Sequence, residues 1–438
     1  MAVDQVSNAR FSLMLRNARK RAGMTQRQLA ELSTISIRAI RDLELAYTGT
    51  PRAQTIRLLA DALRLSKARR MELEAAAGLI PGRSLYDELP APSTALGPVL
   101  AREHETAILI RLLDSPDHRL VKVTGMPGMG KTSLIQKVAS QLHRTEFIPV
   151  IPLERASAPA GGRPDAAKGL VGWIAALVGC EATLDDVAGT IARNDVLLTV
   201  DGRDLDDRDH QDLGVLIECC QGLRVMYETC ETVSDSIGES VLALFPLSVP
   251  DWSRRETDAA AAHDFPAVQY MMSRCAQFHP DATAHQETWA AIAGICWYLD
   301  GIPAALESAA SWLLIYEPAE VLEIAETSPV RLTASPSRGT SMLLAWLRQM
   351  LESLPAREMD ALHWLAEVQP WTVADAVGLL GDSAADPQSV VHKLYAHGLV
   401  RRVKPAQGGP TRFIVLNLVR HLLRSEYANV ESKVSLGA

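Results

Sequence analysis

Apolar positions recur at helical spacing near the start of the chain. Phe11, Met14, Leu15 and Ala18 fall on one helical face that runs to Arg21, and Gly23 closes it. Thr25 is placed to cap a second helix over 26–33, with Leu29 and Ala30 inward. Ser36 is placed to cap a third over 37–43, with Ile37, Ile40 and Leu43 on one side and Arg38 and Arg41 on the other. Helices over 55–65 and 67–77 follow. The pattern then changes. Continuous apolar runs at 120–124, 195–200 and 223–227 alternate with helical stretches, which predicts a parallel sheet covered by helices on both faces. From 289 the helical period returns, over 289–314, 341–354, 356–367, 372–378 and 389–398. Two short strand patterns, 399–403 and 412–416, flank Gln407-Gly-Gly-Pro410, and a closing helix is expected over 418–427. Three helices followed by a hairpin is winged-helix order. Arg401, Arg402 and Lys404 on that hairpin read as solvated or DNA-facing wing residues.

The expected fold is therefore multidomain, α and α/β. An all-α head (1–80) is followed by a linker (81–97) marked by Pro81, Pro90, Pro92 and Gly82, which is expected to leave the head free to reorient. An α/β domain (98–247), a helical domain (248–335) and a winged helix (336–438) complete the chain. The head's turns suit a helix-turn-helix that enters the major groove, where Arg38 and Arg41 are placed to fork onto guanine edges. Gln26, Arg27, Ser36 and Arg52 are placed to position it on double-stranded DNA. A helical bundle that binds protein is the alternative for the same pattern.

Charge sharpens this picture. The chain has 438 residues and a net charge of −8, yet residues 1–80 carry 14 Lys/Arg against 7 Asp/Glu, which leaves −15 on the rest. A basic head on an acidic body points one end at a polyanion. No apolar run approaches the roughly 20 residues of a membrane span. The start also lacks a secretory signal pattern, so a cytoplasmic location is expected. The six cysteines form no Cys-x-x-Cys pair and read as reduced thiols. Trp346, Trp364 and Trp371 read as core.

Gly125-Met-Pro-Gly-Met-Gly-Lys131-Thr132-Ser133 follows the first strand and opens a helix. Gly125, Gly128 and Gly130 let backbone N–H groups curl around a phosphate, Lys131 can reach the terminal phosphates and the Thr132 hydroxyl can ligate Mg²⁺. Asp201 ends an apolar strand, where a P-loop protein holds its Mg²⁺. A nucleoside di- or triphosphate with Mg²⁺ is the expected cofactor set.

Two resemblances follow from these residues. Thr25-Gln-Arg-Gln-Leu-Ala30, Ser36-Ile-Arg-Ala-Ile-Arg-Asp-Leu-Glu44 and Pro51…Leu63 resemble an XRE-type helix-turn-helix, with Thr34 and Ala46 where that family has glycines. Val99-Leu-Ala-Arg102-Glu103, the P-loop and Gly301-Ile-Pro303 resemble NB-ARC ATPases of the STAND class, fused as in regulators of actinobacterial type. The resemblance implies that the nucleotide is ATP or ADP, that Arg102 and Pro303 lie against it, that Thr229 bonds a phosphate and that Asp204, at a spacing seen in bacterial relatives, orients a water. It also implies that 289–314 forms a lid and that the winged helix acts as a regulator. Departures bear on hydrolysis. Gly202 stands at the second acidic position, Cys230 at the phosphate-sensing arginine, and Leu416 and Asn417 at the His-Asp sensor, so slow turnover at most is expected. The repeat array usual after the winged helix has no counterpart here, and no internal period is found, so the sensor is expected to be missing, supplied in trans as a protein or small ligand, or merged with the winged helix. The function implied is a nucleotide-switched transcription regulator that oligomerises. The alternatives are a defence or signalling ATPase whose head binds protein and an ADP-locked scaffold.

Overall fold

The computed structural model describes residues 2–47, 51–65, 67–79, 85–92, 102–115, 118–153, 169–192, 194–201, 205–230, 240–252, 262–281, 285–333, 338–381, 386–403 and 410–427. The head is five helices: α1 (Ala2–Arg21), α2 (Gln26–Ser33), α3 (Ile37–Glu44), α4 (Ala53–Ala62) and α5 (Lys67–Ala76). The first helix begins at Ala2, well before the apolar face that starts at Phe11. Phe11, Leu15, Leu29, Ile40, Ile56 and Leu59 form the head's own core. Thr25 and Ser36 cap α2 and α3 as expected, accepting from the backbone N–H groups of Gln28 and Ala39. Thr34 and Ala46, at the two glycine positions, take φ of +58° and +56°, so both turns keep the left-handed backbone that glycine would adopt without strain.

The proline-rich segment is not an open tether over its described part. A short helix, α6 (Leu85–Glu88), sets Leu85 and Leu89 into a core of the α/β domain. Tyr86 stacks on His143 with ring centroids 4.3 Å apart, and the guanidinium of Arg10 lies 4.7 Å from the Tyr86 ring. These contacts dock the head and correct the expectation that it reorients freely.

The α/β domain contains α7 (Glu103–Asp114), β1 (Leu120–Thr124), α8 (Lys131–Glu146), β2 (Val150–Leu153), α9 (Gly169–Val178), α10 (Leu184–Ile191), β3 (Val196–Asp201), α11 (Asp207–Cys219), β4 (Leu223–Thr229) and β5 (Ser240–Ala243). Its sheet is parallel, in the order β2-β3-β4-β1-β5. Val121, Val123, Leu197 and Met226 face α8, while Leu198, Val200, Val225 and Tyr227 face α9 to α11. The strands are buried on both sides and so read as unbroken apolar runs. Strand β4 lies between the P-loop strand β1 and the acid-bearing strand β3, so its C-terminal end faces the middle of the site.

The helical domain comprises α12 (Pro266–Phe278), α13 (Gln286–Tyr298), α14 (Pro303–Trp312), α15 (Pro318–Thr327) and α16 (Pro329–Leu332). The final domain comprises α17 (Arg338–Ser353), α18 (Ala356–Glu367), β6 (Trp371–Thr372), α19 (Val373–Leu380), α20 (Pro387–Ala396), β7 (Val400–Val403), β8 (Arg412–Val415) and α21 (Asn417–Leu422), which ends in a π turn at Leu423–Tyr427. Its sheet has a third strand, ordered β6-β8-β7 and antiparallel, beyond the expected hairpin. Trp371 is fully buried and Trp346 packs at the edge of the core, but Trp364 is exposed, contrary to the expectation that it is core. One continuous apolar core joins the α8 side of the sheet to the helical and C-terminal domains. No described helix is long and apolar enough to cross a membrane, and the cysteines are all free thiols.

Candidate nucleotide site and DNA-facing head

The loop from Gly125 to Gly130 joins the centre of the sheet to α8. Its glycines take φ of +151°, +81° and +83° at 125, 128 and 130. A Cβ at Gly125 would stand 2.8 Å from the carbonyl oxygen of Leu244, whereas one at Gly130 would meet nothing within 4 Å. The loop is thus pressed against the sheet at one end and open at the other. Behind it, the first N–H groups of a helix have no intrahelical partners and carry its positive end. Lys131 is buried, and its Nζ donates to the loop's own carbonyls at Gly125 (2.8 Å) and Met126 (3.0 Å), with the Cys230 sulfur at 3.5 Å. Cys230 therefore sits against Lys131. Thr132 is exposed and donates its hydroxyl to both oxygens of Glu228, at 2.9 and 2.8 Å. Ser133 is half-exposed on the same turn. Asp201 ends β3, Thr229 is buried at the end of β4, and Glu228 is 7 % exposed. Asp204 and Gly202 lie outside the described residues.

Open loop, cation, hydroxyl and carboxylates are the donor set that a nucleoside phosphate with Mg²⁺ requires, and the residues fit both groups. Sequence reasoning misses Glu228 as a site residue. Its one signal is an acidic side chain at the head of Glu228-Thr229-Cys230, just where an apolar strand ends.

Arg102, at the start of α7, is 6 % exposed. It bonds Glu105 (2.7 Å), the carbonyl of Phe245 (2.7 Å) and, more weakly, the carbonyl of Met129 (3.4 Å). It therefore clips the P-loop to the segment after β5. Pro303 opens α14, and the next residue, Ala304, donates its N–H to the Gly128 carbonyl at 3.0 Å. The Gly-Ile-Pro break is thereby joined to the phosphate loop. From the C-terminal domain, the Gly398 turn reaches Met126: a Cβ on that glycine would lie 2.8 Å from the Met126 side chain.

Beside this roof, Asp300 is fully buried. It accepts from the Leu418 N–H (3.1 Å), the Asn417 amide (3.2 Å) and Arg401 (3.4 Å). Burial pushes its carboxyl up to about 6, against the opposing pull of Arg401 and of the bonds from Asn417 and Leu418. The expectation of a solvated or DNA-facing Arg401 is corrected here. The side chain is buried in this pair, with its guanidinium 4.6 Å from the Trp297 ring, and burial lowers its pKa. Arg402 is exposed, and Lys404 lies outside the described residues. Asn417 bonds the lid rather than a phosphate, with a further bond to the Trp297 carbonyl at 2.7 Å. Leu416 is fully buried.

In the head, Arg38 and Arg41 are exposed on α3, as is Arg52 at the cap of α4. Arg27 is exposed and pairs with Glu31 along α2. Gln26 is half-buried and donates to Glu44 at 2.8 Å, and Arg19 pairs with the same carboxylate at 2.6 and 2.9 Å. Gln26 is thus tied into a buried network that fixes α2 against α3. Outside that network, Arg38 and Arg41 on α3 and Arg52 at the start of α4 are exposed, with Arg27 and Ser36 beside them.

A helix-turn-helix family model matches residues 15–68. No curated protein matches the chain. Among solved structures, NtrX from Brucella abortus in complex with ADP aligns at 15 % identity over 84 % of this chain and 86 % of its own, with a TM-score of 0.31. Cdc6p from Pyrobaculum aerophilum aligns at 14 % identity over 80 % and 98 %, TM-score 0.29. PCH-2 from C. elegans aligns at 11 % identity over 56 % and 72 %, TM-score 0.32. At these scores the likenesses are partial.

Proposed function

We propose that this chain is a DNA-binding transcription regulator in which ATP or ADP, bound with Mg²⁺ at the P-loop, controls the helix-turn-helix head. The observation that carries the reading is α8. This single 16-residue helix begins at the phosphate loop with Lys131 and ends at Glu146, a rod of about 24 Å. At its far end the Asn17 side chain of the head donates to the carbonyl of Thr145, and the Arg10 guanidinium lies 5.7 Å from the Phe147 ring. One rigid element thus touches both the phosphate site and the head. The recognition arginines Arg38 and Arg41 stay exposed while the head is docked, so docking sets the direction of the recognition helix without covering it.

On this reading Lys131 neutralises phosphate charge, Thr132 and Asp201 hold Mg²⁺, and Arg102, Thr229, Ser133 and Pro303 line the nucleotide. Asp204 orients a water. The STAND-class resemblance adds a closed ADP state, an ATP-driven homo-oligomer that presents several heads at once, and a signal supplied by a sensor protein or small ligand in trans. Tethered heads gain effective concentration on repeated DNA sites. The buried Asp300–Arg401 pair and the Gly398–Met126 contact favour a second reading, in which ADP locks the chain as a scaffold. Sites found by genome-wide occupancy supply the DNA for the test, an anisotropy titration of the full chain with no nucleotide, with ADP and with ATP. DNA affinity is expected to differ among the three in the wild type and to be the same in Lys131→Ala. Equal affinity in all three wild-type states overturns the switch, and ADP that leaves only on denaturation supports the scaffold.

A further inference from the structure

Strand alternation brings a second acid to the phosphate site. On β3, Val196, Leu198 and Val200 face α9 to α11, and on β4, Leu223, Val225 and Tyr227 do the same. Asp201 and Glu228 have the opposite parity, so they belong to the face covered by α8. The register sets their Cα atoms opposite one another at the ends of two paired strands. Thr132, in the first turn of α8, meets Glu228 from above and gives its hydroxyl to both carboxylate oxygens. The group whose chemistry suits Mg²⁺ is therefore already held by a buried carboxylate. Lys131 is turned onto the loop carbonyls.

Mg²⁺ takes hard oxygen ligands and commonly uses one or two carboxylates together with water and phosphate oxygens. The strand end beyond Asp201 offers glycine at position 202. Glu228 supplies an acid from the neighbouring strand instead. A buried anion at this place also repels an incoming polyphosphate unless a cation stands between them.

We infer that Glu228 is a metal-positioning residue, the second carboxylate of the Mg²⁺ site, which makes phosphate binding at the P-loop conditional on Mg²⁺. It rests on the reading that the P-loop binds a nucleoside phosphate. With Mg²⁺ bound, Glu228 would release the hydrogen bond it accepts from the Thr132 hydroxyl and supply its carboxylate to the cation's site. Without Mg²⁺, its charge opposes the phosphates. Gln at this position keeps an oxygen to accept from Thr132 but removes the charge.

The test is a fluorescence titration of full-length wild type and Glu228→Gln with a fluorescent ADP analogue, in excess Mg²⁺ and in EDTA. Wild-type affinity is expected to fall at least about tenfold in EDTA, and that of Glu228→Gln by less than about threefold. The variant is also expected to bind more tightly than wild type in EDTA. Should Glu228→Gln fail to fold, Glu228→Asp keeps the charge, shortens its reach, and should give an intermediate ratio. Equal Mg²⁺ dependence in variant and wild type overturns the role of Glu228 while leaving the P-loop reading in place. A wild type that binds in neither buffer overturns both.

Discussion

The backbone N–H of Ala304 donates to the carbonyl of Gly128 across 3.0 Å. This bond joins the break between α13 and α14 to the glycine-rich loop before α8. The break depends on Gly301, which has φ of +68° and whose Cβ would stand 2.1 Å from the Leu247 carbonyl oxygen. That oxygen belongs to backbone and has no room to yield. Gly301→Ala is expected to cost more than about 2 kcal/mol, through a strained φ and a backbone clash. It should also weaken binding at the P-loop. Gly189 is the control: it lies inside α10, and a methyl group added there would meet nothing within 4 Å. Gly189→Ala is expected to gain about 0.5–1 kcal/mol. Thermal unfolding of the two variants beside wild type measures both, and equal midpoints would refute the role given to Gly301.

Asp300 and Arg401 join lid to winged helix in a setting with little water. The Arg401 Nη2 finds no hydrogen-bond partner among the described residues, so Asp300 and the face of Trp297 carry most of its compensation. Removing one charge strands the other. Asp300→Asn or Arg401→Met alone is expected to destabilise the docked winged helix by about 3–5 kcal/mol, and the double variant by less than the sum of the two. Urea unfolding followed by tryptophan fluorescence gives the cycle. Strict additivity would mean that the pair is not coupled.

The same carboxyl predicts a pH dependence. In the unfolded chain an aspartate titrates near 4, and in the folded protein burial raises Asp300 to about 6. Between those values the unfolded chain has released its proton while the folded protein still holds one. Stability from this site therefore falls as pH rises through the window and levels off above it. Asp300→Asn has no such titration. Relative to that variant, wild type is expected to lose about 1 kcal/mol between about pH 5 and about pH 7. Urea midpoints at the two pH values decide, and parallel shifts in both proteins would count against a raised carboxyl.

The phosphate loop is legible in the sequence because its chemistry demands particular residues: Gly128 and Gly130 for a left-handed backbone, then Lys131 and Thr132 at a helix start. The buried strands are legible because they carry unbroken apolar runs, and Thr25 and Ser36 because caps need a side-chain oxygen. Asp300 is not legible. An aspartate before Gly-Ile-Pro looks like a turn residue, and its partners at 401, 417 and 418 come from over a hundred positions away. Arg401 looks solvated for the same reason: a strand pattern does not say what the strand packs on. The helix at Leu85–Glu88 is hidden by flanking prolines, and only Leu85 and Leu89 in the sheet domain's core reveal it. Glu228 becomes visible once strand register sets it opposite Asp201 and beneath Thr132.

The head offers a separation of DNA contact from stability. Arg38 has 92 % of its side chain exposed and only a loose pairing with Asp42 at 3.9 Å. Glu44 is buried and accepts from Arg19 and Gln26, which fasten α1 and α2 to α3. Truncating an exposed arginine leaves the fold intact, so Arg38→Ala and Arg41→Ala are each expected to weaken specific DNA binding by about 1–3 kcal/mol. Their melting temperatures should stay at the wild-type value. Glu44→Ala removes the buried acceptor shared by the half-buried Arg19 and Gln26 and is expected to lower the stability of the head by about 1–3 kcal/mol. Its DNA binding should fall because less of the head is folded. Anisotropy titrations at two salt concentrations, read beside thermal melts of the same three variants, measure both effects. Unchanged DNA affinity in Arg38→Ala and Arg41→Ala would remove α3 as the reading helix, and a Glu44→Ala head as stable as wild type would remove the network as its support.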